Sequence, residues 1–137
     1  GRYDLVTCNP PYKAAGRGIL SGTGAQQLAR HETMCTLNDV CAAAKRLLRF
    51  GGRLCICQRP ERLADAMITM RQNGLEPKRL QLVCRDKDSA PWLFLLMGQK
   101  GAKMHLNVLP NFILYENGQY TAQTRAMYGE SFLHDTK

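Results

Sequence analysis

The residues of this 137-residue chain best suited to chemistry stand near its start, at Asn9-Pro10-Pro11-Tyr12. Together they suit one task, holding a planar amine. The Asn9 side chain offers a carbonyl oxygen that accepts from an N–H. Pro10 has no N–H of its own, but its backbone carbonyl accepts another. Consecutive prolines stiffen the segment, so these acceptors are preorganised. Tyr12 adds a ring on which a flat group stacks. Stacking of a base on an aromatic ring contributes ~1–3 kcal/mol, comparable with the few kcal/mol needed to extract a base. The plain alternative is a rigid turn that ends a strand; the apolar run before the tetrad favours a site.

Elements on either side must position this corner. Tyr3 to Cys8 reads as a short buried strand, and the prolines end it because they cannot donate ladder bonds. Ligands in open α/β sheets bind beyond the carboxyl ends of the strands, where the tetrad lies. Residues 13–24 read as a loop. Leu37, Val40, Cys41, Ala44, Leu47 and Leu48 recur at helical spacing, with Gly51-Gly52 as the stop. Arg53 to Gln58 is a second strand. Pro60-Glu61 suit the first turn of a second helix, with Leu63, Met67 and Met70 on one side and Asn73-Gly74 at its end. Leu80 to Cys84 is a third strand, and Asp86-Lys87-Asp88-Ser89 is turn chemistry. Trp92 to Met97 is a fourth strand, apolar on both faces and therefore central. After a connection over 98–103, Met104 to Val108 reads as a further strand. Ile113 to Thr121 has the pattern of a hairpin with a type I′ turn at Asn117-Gly118. A short helix follows from Ala122 to Tyr128, stopped by Gly129. Strands alternating with helices imply parallel pairing. The short turn between the last two long strands makes one of them antiparallel. The expected architecture is a three-layer α/β sheet.

Composition bounds the partners. Hydrophobic residues make up 45% and charged residues 22% of the chain, which fits one globular domain. Lys plus Arg is 19 against 11 for Asp plus Glu, a net charge of +8 that favours a polyanionic partner. The basic residues gather at Lys45-Arg46 with Arg49, at Arg59 and Arg62, at Lys78 and Arg79, and at Arg85 and Lys87. They form no long block, so charge alone does not separate a nucleic-acid face from a solvated surface. No apolar run reaches the ~20 residues of a membrane span, and no signal-peptide pattern opens the chain. The 6 cysteines show no Cys-x-x-Cys spacing and no His pair at zinc spacing. They are expected to be buried thiols of a cytoplasmic protein, with no metal site.

The run Tyr3 to Tyr12 resembles the fourth strand and catalytic loop of class I S-adenosylmethionine-dependent methyltransferases that modify exocyclic or amide nitrogens. Within that class the bacterial valine-tRNA adenine-N6 methyltransferases look most similar. They act on the adenine just 3′ of the anticodon. Ala29-Arg30-His31-Glu32 resembles their pattern, as do Lys100-Gly101, Leu109 to Glu116 and Tyr120-Thr121. Two departures stand out. Asn111 occupies a position where the family often has a second proline, and the glycine-rich cofactor loop and acidic ribose ligand that the family carries upstream are absent from this sequence.

The resemblance implies a fold, the carboxyl-terminal half of a class I (Rossmann-like) sheet, mostly parallel with one antiparallel strand. Over 1–137 it implies part of a catalytic domain, with a half-sheet over 1–99 and a terminal strand and hairpin appendage over 100–137. The family order 3-2-1-4-5-7-6 would be represented here by 4-5-7-6, leaving strand 4–8 as an exposed edge that invites pairing with a second copy. The resemblance also implies S-adenosyl-L-methionine as cofactor and tRNA as partner. Asn9, Pro10 and Tyr12 would be catalytic, with Asn9 also facing the cofactor and Pro11, Lys13, Arg30 and His31 contacting substrate. The half as given is expected to be inactive alone and to bind the methyl donor poorly.

Other signals point elsewhere or nowhere. Gly22-Thr23-Gly24 lacks the third glycine of a dinucleotide loop, since position 27 is Gln. His31 and Glu32 are adjacent and do not share a helix face, so a polar pair at a helix end is the plainer reading. Trp92 is expected in the core, with a base-stacking platform as the alternative, and Met67 and Met70 are expected in the helix core. Competing functions are a glutamine-amide methyltransferase of release factors, whose amide nitrogen presents the same planar NH2, and a non-catalytic RNA-binding module of the same fold.

Overall fold

A computed structural model describes residues 1–9 and 36–129. Strand β1 (Tyr3–Cys8) is followed by helix α1 (Leu37–Leu47), strand β2 (Leu48–Gln58), a 3-10 turn (Pro60–Arg62) and helix α2 (Leu63–Gln72). Strand β3 (Leu75–Cys84) and strand β4 (Leu93–Lys100) come next. Four two-residue strands close the order, β5 (Asn107–Val108), β6 (Phe112–Ile113), β7 (Tyr115–Glu116) and β8 (Gln119–Tyr120), before helix α3 (Ala122–Tyr128).

The main sheet runs β1-β2-β4-β3-β5, with β6 also pairing β3. β1 pairs β2 in parallel, and β3 pairs β5 and β6 in parallel. β4 is antiparallel to both its neighbours, β2 and β3. The expected strand succession 4-5-7-6 and the single antiparallel, central strand are therefore present. Among the described residues β1 pairs only with β2, and Tyr3 and Leu5 on it are exposed.

One face of the sheet carries the core. Leu54, Ile56, Phe94 and Leu96 are buried against Leu37, Cys41 and Ala44 of α1 and Ala66 and Met70 of α2. Alternate residues Leu5, Cys55, Cys57, Leu95 and Met97 face the other way and stay partly or fully exposed. The expectation of three layers is corrected: among the described residues both long helices cover the same face. Burial of the cysteines is corrected in part as well. Cys41 and Cys84 are buried, whereas Cys8, Cys55 and Cys57 are only half-buried, and none of the five is in a disulfide.

Several element boundaries differ from the sequence reading, each for a local reason. Thr36 starts α1 with a capping box: its hydroxyl accepts from the Asp39 amide at 3.1 Å, and its amide donates to Asp39 Oδ2 at 3.0 Å. The helix ends at Leu47 without help from glycine, because Leu48 is already extended and begins β2. Gly51-Gly52 instead lie inside β2, where the register jumps from Tyr3↔Leu48 to Leu5↔Arg53. The extra backbone bulges, and Gly51 takes a φ of +83° there. β3 starts at Leu75 rather than Leu80. It tolerates Pro77 because the ladder to β4 is irregular between Pro77 and Arg79. Glu76 of β3 is buried and accepts from Arg71 Nε of α2 at 2.8 Å, which ties the helix to the strand that follows it. β4 starts at Leu93 and runs to Lys100, past the expected end at Met97. Only Asn107–Val108 of the expected strand 104–108 pairs. The hairpin and α3 match the reading. Asn117 and Gly118 have φ of 53° and 76°, the signature of a type I′ turn.

The Lys100-Gly101 pair has a structural role. The Lys100 ammonium donates to the carbonyls of Lys45 at 2.6 Å and Leu48 at 2.7 Å, at the carboxyl end of α1 where carbonyls lack helical partners. Gly101 has a φ of +76°, which favours glycine, and a Cβ there would push aside the exposed Phe50 ring. Replacing Lys100 with Met is expected to destabilise the fold by about 1–2 kcal/mol, the range for a partly exposed charge-assisted bond. The urea midpoint should fall accordingly, and an unchanged midpoint would remove this role.

Burial pushes the Cys41 thiol up to about 11, with Cys8 adding to the rise. The sign follows from linkage: the folded state holds the proton that the unfolded chain releases near its ordinary thiol value. Stability is therefore expected to fall as pH rises from about 9 to about 11 and then level off. Burial raises Cys55 and Cys57 in the same direction. Denaturant titrations across that window should show the decline, with a shallower slope in Cys41→Ala.

Candidate active site

The carboxyl ends of the parallel strands and the start of β4 meet at one end of the sheet. β1 ends at Cys8, in register with Ile56, and Asn9 follows directly. β2 ends at Gln58, which is in register with Phe94 of β4. Gln58 is buried, and its side-chain oxygen accepts from the Arg59 amide at 3.0 Å. β3 ends at Cys84 beside β6.

Asn9 is exposed and lines a cleft of about 640 Å³ on the sheet face opposite α1 and α2. Leu5, Cys55, Cys57, Leu95 and Met97 contribute the apolar wall, and Arg53 and Arg79 bring positive charge. Apolar walls with a few polar groups are the usual make-up of a small-molecule site. Burial raises the pKa of Cys55 and Cys57, so both thiols in this wall are protonated and poorly nucleophilic near neutrality. Among the described residues no group of three or more His, Cys, Asp or Glu is placed to hold a metal ion.

Of the candidate residues, Asn9 is described, while Pro10, Pro11, Tyr12, Lys13, Arg30 and His31 lie outside the described residues. The glycines at 22 and 24 lie outside them too. β1 pairs in parallel with β2 and ends at Cys8, so Asn9 stands at the carboxyl end of the strand.

Trp92 is a correction to the sequence reading. It precedes β4 instead of belonging to it, and 44% of its surface is exposed. Its amide donates to the Val83 carbonyl at 3.0 Å, which holds it at the same sheet end as Asn9. The Arg85 guanidinium lies 5.9 Å from the ring centroid. The apolar run 92–97 gives no sign of where pairing starts. Pro91 just before it was the available signal, since proline has no N–H to donate and pairing in a central strand commonly starts after it.

The segments from Leu109 to Glu116 and at Tyr120-Thr121 are tied to β3 and to one another by hydrogen bonds. The Leu109 amide donates to the Leu80 carbonyl at 2.8 Å, and that of Leu114 to Cys84 at 2.9 Å. The Thr121 hydroxyl donates to the Ile113 carbonyl at 2.6 Å, and the buried Thr124 hydroxyl to that of Leu114 at 2.9 Å. These bonds dock the hairpin and α3 onto β6.

No protein-family profile matches the chain, and no curated protein sequence matches it. Solved structures do. A predicted O-methyltransferase from Agrobacterium tumefaciens superposes with a TM-score of 0.64 at 18% identity, over 88% of this chain and 48% of that one. A DNA modification methylase, so named by proposal, from Thermus thermophilus gives 0.48 at 19% identity, over 95% and 55%. Its S-adenosyl-L-methionine complex gives 0.46 at 18%, over 95% and 54%. The chain spans about half the length of the structures it matches. The first superposition identifies the fold as a partial, mixed α/β sheet of the class I methyltransferase kind.

Proposed function

We propose that the chain is the carboxyl-terminal half of an S-adenosylmethionine-dependent N6-adenine methyltransferase acting on tRNA, at the adenine 3′ of the anticodon. The observation that carries this reading is Asn9, exposed at the carboxyl end of β1, lining the cleft and followed in sequence by Pro-Pro-Tyr. When bound, S-adenosylmethionine would supply an electrophilic methyl group, its sulfonium leaving as a neutral thioether while the methylated amine loses its proton to water. Asn9 and the Pro10 carbonyl accept from the target amine and aim its lone pair, while Tyr12 stacks on the extruded base. An adenine amine is barely basic, so position and exclusion of water do most of the work. The connection after β2, Arg59-Pro60, is not glycine-rich. In this reading Asn9 faces the methyl-donor side of the cofactor, and the connection after β2 is not the cradle for its adenosine. In this reading a complementary half-sheet supplies that cradle and pairs along the edge of β1 left open among the described residues.

The test is methyl incorporation by this chain combined with such a half, using valine tRNA, unmodified at the adenine, and a glutamine-containing release-factor peptide as rival substrates. N6-methyladenosine in the digested RNA is the expected product. Methylglutamine in the peptide, or no transfer to either, overturns the reading. Light scattering of the chain alone distinguishes a second copy on the β1 edge from an edge awaiting the other half.

A further inference from the structure

We infer that Trp92, backed by Arg85, is a stacking platform for an unpaired RNA nucleotide flanking the target base. This rests on the adenine-RNA reading above and adds a binding residue that methyl transfer itself does not require.

The first support is position. Cys8 is in register with Ile56, and Cys57 with Leu95, so Asn9 is level with Leu95 on the far side of β2. Trp92 lies beyond Leu95 in the direction of the carboxyl ends. Two strand spacings sideways and three residues along place it about 14 Å from Asn9. A few nucleotides of extended single strand cover that span.

The second support is the ring itself. A large apolar side chain is held at a rim instead of in the core, and its backbone is fixed by the Val83 carbonyl. The neighbouring residue in the pair is fixed as well, since the Arg85 carbonyl accepts from the Tyr115 amide at 2.7 Å. Arg85 is close enough to polarise the ring, and a guanidinium is itself a flat surface for a base. The backbone under both residues is therefore fixed before any ligand arrives, which lowers the ordering needed to bind.

Charge argues for stacking over phosphate pairing at this point. Arg85 and Lys87 are offset by Asp86 and Asp88 in the same turn. The Ser89 hydroxyl and, second to it, the Asp88 amide hold the Asp86 carboxyl below its usual range, so it is ionised at neutral pH. The turn is close to neutral overall, and the surplus of +8 attracts RNA from elsewhere on the chain.

Trp92 is the only tryptophan in the sequence, so tryptophan emission reports this residue alone. The chain is titrated with a single-stranded, adenine-containing RNA oligonucleotide, following Trp92 emission and, with a labelled copy, anisotropy. Quenching along the same isotherm as the anisotropy is expected. Trp92→Ala should weaken RNA binding about 5- to 100-fold, with circular dichroism unchanged, and Trp92→Phe should restore most of the affinity. RNA that binds without changing the emission overturns the platform, as does an alanine variant with unaltered affinity. So does the absence of RNA binding at low salt, or a glutamine-containing peptide that shifts the emission where RNA does not. If quenching and the affinity loss are seen while adenine is never methylated, the platform stands and the proposed reaction falls.

Discussion

Asn9→Ala is expected to lower methyl transfer by about 100-fold or more, measured as single-turnover rate in the protein that contains both halves of the sheet. Loss of an aligning acceptor leaves the amine free to rotate, and misplacement of a reacting group by about 1 Å costs roughly this much. The effect should fall on kcat with KM little changed, because the interaction matters most when the lone pair is aimed. RNA affinity should largely survive, since the Trp92 rim and the basic surface are untouched. The fold should survive too: Asn9 is exposed and follows the last paired residue of β1, so its truncation removes no ladder bond and no core contact. Asn9→Asp, which retains acceptor oxygens, should retain more activity than alanine. A wild-type rate in the alanine variant would sink the assignment, and a non-catalytic module would show no transfer in either protein.

Phe94→Ala should produce the largest loss of stability from a single side chain, about 3–5 kcal/mol. Phe94 is fully buried at 0% exposure in β4. It stands opposite Gln58 on β2 and Leu82 on β3, in the core on the helix-covered face toward the carboxyl ends of those strands. No other strand can shift to close the hole, because β4 is bonded on both edges. A domain of this size has ~5–15 kcal/mol of stability in all, so the variant should lose between a fifth and all of its margin. Urea titration followed by Trp92 emission and circular dichroism measures the loss. Phe94→Leu should lose only part of it. A penalty under about 1 kcal/mol for alanine, the size of an ordinary substitution, would mean that the principal core lies elsewhere.

Much of this fold was legible because its signals are local. Asn117-Gly118 can form a type I′ turn cheaply, and it does. Gly129 ends α3 at the expected residue. The central place of β4 was legible from its apolar character on both faces, and its direction from the short turn before it. What escaped depends on partners distant in sequence. Gly51-Gly52 looks like a helix stop, but β1 draws Leu48 into the sheet and the glycines become a bulge. Pro77 looks like the end of pairing, but an irregular register lets β3 continue past it. Lys100 looks like a connecting residue, yet it closes the end of α1. The sheet face left without a helix among the described residues was illegible for another reason: Cys55, Cys57, Leu95 and Met97 have the same apolar character as residues under a helix. Of the candidate site, the position of Asn9 directly after a strand was legible from the apolar run before it, and Trp92 was misassigned because an apolar run alone does not mark its own first paired residue.

The placement of β4 has a bearing on synthesis. It is the latest of the long strands to leave the ribosome, yet it separates β2 from β3 and is bonded to both. Until Lys100 has emerged, β2 and β3 have no shared neighbour, and each exposes an unpaired edge to the surrounding solution. A nascent chain arrested before that residue should be a sticky pair of disconnected pieces, and release of one further strand should knit them together in a single cooperative event.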